Sequence, residues 1–145
     1  MASTAAPALP SEALTEDGVS LFRLYVLRAM YLVLVVGLGG MIVPEILSHE
    51  LTSRGVIPSL LGAVWLLAFL GLRYPLAMLP LLMFELAWKL IWLIAYGLPQ
   101  WSAGQYPPTL AEDSFNIGLG VILLLVIPWG YVWRRFVKQP GARWR

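Results

Sequence analysis

Four stretches of the chain are almost free of charged residues, at about 21–43, 56–72, 76–98 and 115–133. Polar residues, prolines and glycines collect between them. Each stretch approaches the ~20 residues an α-helix needs to cross about 30 Å of hydrocarbon. The pattern predicts an all-α membrane protein, a four-transmembrane-helix bundle. Pro44 is expected to end the first helix, and Arg73-Tyr74-Pro75 the second. The turn after Arg73 is so short that the second and third helices should be antiparallel neighbours. Pro80 falls in the first turn of the third helix, where a missing amide hydrogen costs little. Pro128 lies near the end of the fourth. The longest linker, 99–114, contains Pro99, Gly104, Pro107 and Pro108.

The flanks complete a one-domain reading. Residues 1–20 form a polar tail rich in Ala, Ser, Thr and Pro, with Glu12, Glu16 and Asp17, and are expected to be disordered. No basic stretch precedes the first apolar run and no small-residue cleavage pattern follows it, so that run is read as a retained anchor. Residues 21–136 make the four-helix transmembrane domain, and 137–145 a basic C-terminal tail.

Composition narrows the chemistry. Of 145 residues, 59% are hydrophobic and 12% charged, against roughly 45–50% and 25% in soluble domains. The absence of cysteine excludes disulfides, iron–sulfur clusters, zinc–thiolate sites and a thiol nucleophile. A single histidine, His49, excludes bis-histidine haem ligation within one chain. The net charge of +2 reflects where charges sit relative to a bilayer and does not point to nucleic acid.

Placing those charges sets an orientation. With four crossings, one side holds Arg23, Arg28, Arg73, Arg134, Arg135, Lys138, Arg143 and Arg145, and the other only Arg54. This bias puts both termini in the cytoplasm. Glu45, Glu50, Glu112 and Asp113 then lie in the outer loops. Trp129, Tyr131 and Trp133 beside Arg134 and Arg135 make the expected interfacial belt. In length and helix count the layout resembles several small four-helix bacterial membrane families, DoxX-like proteins among them. That resemblance carries no motif, so no residue role follows from it. A bacterial inner membrane is the expected location, with the lipid bilayer as partner.

Glu85 and Lys89 are the exception to the outward placement of charge. Insertion scales put a central charge at roughly 2.5–3.5 kcal/mol, so the pair costs about 5–7 kcal/mol. The eight Leu, two Ile and one Phe of the third run return roughly 3–7 kcal/mol on that scale. An i, i+4 pair with Glu first can form an intrahelical ion pair. Met78, Glu85, Lys89, Trp92 and Tyr96 share one helical stripe, expected to face the bundle. Arg28 falls at a similar depth and is a second candidate partner for Glu85. The polar cluster is therefore Glu85, Lys89, Arg28, Trp88, Trp92 and Tyr96, acting either as a ligand site or as a structural lock. Trp65, Trp88, Trp92 and Tyr96 either stack on a flat ligand such as a quinone or lipid headgroup, or pack helices.

Weaker signals remain. His49 follows Glu45 by four residues and shares the outer side with Glu50, Glu112 and Asp113, which reads chiefly as a solvated acidic loop. Ser114-xxx-Gly118 offers a small-xxx-small contact, with Gly120 beyond. No residues are assigned to catalysis or to metal.

Three functional classes follow. The first is a non-catalytic accessory subunit or small-ligand-binding bundle organised around Glu85 and Lys89, within a larger membrane complex or a homo-oligomer. The second is an oligomeric transporter or channel with Glu85 as coupling carboxylate. The third is a membrane enzyme on a lipid-like substrate, for which no Ser–His pair, metal cluster or phosphate loop is present.

Overall fold

The computed structural model describes residues 18–48, 55–105 and 110–141, the side chains of 110–113 excepted. The described residues are mostly helical and contain no strand. The helices are α1 (Leu21–Ser48), α2 (Val56–Arg73), α3 (Leu79–Ser102), α4 (Leu110–Val126) and α5 (Trp129–Lys138). The first three are long and apolar enough to cross a membrane, and α4 with α5 makes a fourth if the bent pair counts as one span. His49, Glu50 and Arg54, the tail through Asp17, Arg143 and Arg145 lie outside the described residues, as do the side chains of Glu112 and Asp113.

The start of α1 is capped. Ser20 Oγ accepts from the Arg23 amide at 3.3 Å, meeting one of the donors a helix start leaves without a partner. Val19 just before it is buried. At its other end α1 does not stop at Pro44 but runs on to Ser48. Pro44 has no amide hydrogen for the Gly40 carbonyl and its ring crowds that oxygen, yet the helix continues about one turn further, to Ser48.

Helices α1 and α2 form the most extensive contact and α3 packs on α4, while α2 and α3 share only a small contact. The short turn makes α2 and α3 consecutive, but their main packing partners are elsewhere. Large and small residues seat α1 on α2. Trp65 Nε1 donates to the Val35 carbonyl at 2.9 Å, and its ring lies where a side chain on Gly39 would begin. Tyr31, fully buried, covers Gly71 and donates its hydroxyl to the Pro75 carbonyl at 3.1 Å. The core continues through Leu27, Leu34, Leu79, Leu82, Leu123 and Ile127.

Two helices depart from the straight spans expected. The third begins at Leu79, with Pro80 in its first turn as the sequence predicts, but continues past Leu98 to Ser102. It does so through a widened π turn at Leu93–Gly97, in which the Leu98 amide reaches back to the Leu93 carbonyl. The fourth run is not one helix over 115–133. It breaks at Ile127-Pro128, and α5 leaves α4 at 65°. Pro128 has no amide hydrogen for the Leu124 carbonyl, and its ring crowds that oxygen. The indole Nε1 of Trp129 donates to Leu124 O instead, at 2.8 Å. Trp129→Phe removes this donor and should cost about 1 kcal/mol. Equilibrium unfolding of the variant in detergent micelles measures it, and an unchanged stability would show that water replaces the indole.

Candidate functional site

The site is built on one face of α3. Glu85 and Lys89 are 2% and 6% exposed, so both charges are inside the protein. Lys89 Nζ donates to Glu85 Oε2 at 2.7 Å, and Trp88 Nε1 donates to the same oxygen at 3.1 Å. Lys89 Nζ also stands 3.9 Å from the centre of the Trp88 ring. The three side chains close on one another because positions i, i+3 and i+4 are neighbours on a helix. Trp88 therefore serves both charges: its N–H faces the carboxylate and its π face the ammonium. The other carboxylate oxygen, Glu85 Oε1, is buried and has no hydrogen-bond partner. A buried acceptor left so costs about 1–3 kcal/mol, and more when charged.

The stem of Lys89 rests on α4. A Cβ on Gly120 would stand 3.6 Å from Lys89 Cδ, an ordinary van der Waals contact, so the lysine stem lies directly against α4 here. Beside it lies a cavity of about 80 Å³ lined by Leu86, Lys89, Trp92, Asn116, Gly120 and Leu124 among others. Drug-sized ligands occupy roughly 300–1,000 Å³. Asn116 was not singled out from the sequence. Its signal was available: an amide within an apolar run, four residues before Gly120.

Three expectations change. Arg28 does not join the pair, and no ion pair links it to Glu85 among the described residues. Its Nε donates to the Leu72 carbonyl at 3.2 Å, and its guanidinium lies over the Tyr25 ring at 5.7 Å. The last carbonyls of α2 lack helical partners and carry the negative end of its dipole, which draws the cation there. Tyr96 leaves the stripe and is 59% exposed, because the wide turn at Leu93–Gly97 rotates the residues after Trp92. A Cβ on Gly118 would meet nothing within 4 Å, so no close helix approach occurs there, and one on Gly120 would make ordinary contact with Lys89. The remaining aromatics pack: Trp65 against α1 and edge-on to Phe69, Trp92 against Gly97.

No protein-family model, curated protein or solved structure matches this chain.

Proposed function

We propose that this chain is a small polytopic inner-membrane protein with a non-catalytic accessory role, its four apolar segments crossing the bilayer and both termini in the cytoplasm. The positive bias of the basic residues supports that topology. The observation that carries the role is the closure of the Glu85–Lys89–Trp88 group within a single helix. A site built to take a ligand presents polar groups to a cavity that fits it. Here Lys89 Nζ and Trp88 Nε1 both turn to Glu85 Oε2, and the adjoining cavity of about 80 Å³ holds water-sized guests, not a quinone ring. The pair then fixes the rotation of α3 against α4, and the outer faces of the helices are left for lipid or a partner subunit.

The test is native electrophoresis of the full chain, solubilised in mild detergent from its own membranes. The expected result is migration in an assembly larger than the 16.1 kDa chain that contains other polypeptides. Migration as a lone chain or as a pure homo-oligomer contradicts the accessory role. One observation favours an oligomeric transporter instead: the partnerless Glu85 Oε1, a place for a proton. Proton-coupled uptake in proteoliposomes, abolished by Glu85→Gln, would establish that reading.

A further inference from the structure

The 65° bend at Pro128 creates a second feature, unrelated to Glu85. It lays α5 beside the α2–α3 turn and leaves between them an open groove of about 660 Å³. Arg134, Arg135, Tyr131 and Gln139 supply its polar lining, and Leu76 and Phe136 are among its apolar walls. No carboxylate lines it among the described residues. Arg135 donates one N–H to Gln139 Oε1, which leaves most of its donors available. Arg134 makes no hydrogen bond or ion pair with a described residue. Two adjacent guanidiniums, a phenol and an amide form a donor-rich surface, and guanidinium forks match the geometry of phosphate oxygens.

The exposed side chains of α5 point to where such a phosphate is carried. Trp129, Trp133 and Val137 are exposed, on a helix that winds in wide π turns from Trp133 to Lys138. Tyr131, Arg134 and Arg135 turn instead into the groove, and Lys138 ends the helix. A helix of this kind, turned away from a crossing helix, has the pattern of one lying in the membrane interface, with apolar residues toward acyl chains and cations among headgroups. Basic pockets at that level are suited to anionic headgroups.

We propose that the groove between the α2–α3 turn and α5 is a binding site for the phosphate of an anionic phospholipid, held by Arg134 and Arg135. This rests on the membrane reading above. It differs from general attraction of a basic tail to an acidic surface, because it needs the arginines at these two positions and not merely the chain's positive charge.

The experiment uses the full chain in detergent with equal amounts of phosphatidylglycerol and phosphatidylcholine, read by native mass spectrometry. Retained lipid should be enriched in phosphatidylglycerol by about tenfold. Arg134→Gln with Arg135→Gln should abolish the enrichment. Arg23→Gln with Arg73→Gln removes the same charge outside the groove and should leave it unchanged. Circular dichroism confirms that each variant is folded. Equal loss in both pairs, or no preference in the parent chain, overturns the proposal. Excess inorganic phosphate separates the two sources of the anion: lipid that stays bound supports the phospholipid, and saturable phosphate binding without lipid preference overturns it. Extraction of the chain from membranes by alkaline carbonate would instead refute the membrane reading itself.

Discussion

Lys89→Met should destabilise the folded chain by about 3–5 kcal/mol, and adding Glu85→Leu should restore most of that loss. The single change leaves a carboxylate at 2% exposure with one remaining donor, the Trp88 indole. Taking a charge out of water is costly, and the partner that offset the cost has gone. The double change removes both charges and the partnerless Oε1 together and leaves apolar side chains of similar volume. Replacing a buried pair in this way is often neutral, or stabilising by about 1–4 kcal/mol. Equilibrium unfolding in mixed micelles, followed by tryptophan fluorescence, measures all three proteins. A loss below about 1 kcal/mol for Lys89→Met would mean that water reaches Glu85 and the lock is not closed. A double variant that is stable but leaves its native assembly would move the pair from a structural role to a recognition role.

The second large effect lies between α1 and α2. Gly71→Ala should cost about 2–3 kcal/mol, whereas Gly37→Ala should raise stability by about 0.5–1 kcal/mol. A Cβ on Gly71 would overlap the ring of Tyr31. That ring is fully buried, and its hydroxyl is tied to the Pro75 carbonyl at 3.1 Å. It has no free space to turn into, so the helices must separate or the hydrogen bond must break. A Cβ on Gly37 would meet no other side chain within 4 Å, and alanine there only removes conformational freedom from the unfolded chain. Opposite signs at two glycines of the same helix pair isolate packing from helix propensity. Equal effects would show that α1 and α2 are not held at this distance in solution.

The accessory role and the headgroup groove make different demands on the molecule. The first needs the outer faces of the helices and treats Glu85 and Lys89 as internal. The second needs only the segment where Pro128 turns the chain. Variants in one should therefore leave the other intact, since α5 and the Glu85–Lys89 pair share no hydrogen bond or ion pair among the described residues.

Local order was legible in the residues. The four apolar stretches became the helices, and Pro80 sits in a first turn as its missing amide predicts. The Glu85–Lys89 bond follows from a spacing of four along one helix, a geometry independent of the rest of the fold. What required the tertiary structure involves groups that a residue pattern does not display. Arg28 went to a backbone carbonyl of α2, and every residue carries such an acceptor. The indole of Trp129 met the carbonyl freed by Pro128, so a break replaced a straight span. A wide turn rotated Tyr96 off its stripe, because counting at 100° per residue assumes one uniform pitch. The sequence by itself determined which segments are apolar helices and which two charges pair inside them, since both depend on neighbours three and four residues apart. Tertiary structure alone decided that Gly71 must accept Tyr31, that Lys89 rests on α4 beside Gly120, and that Arg134 and Arg135 share a groove with Leu76. Those depend on how closely two separate helices approach, a distance set by the fit of large side chains into small ones.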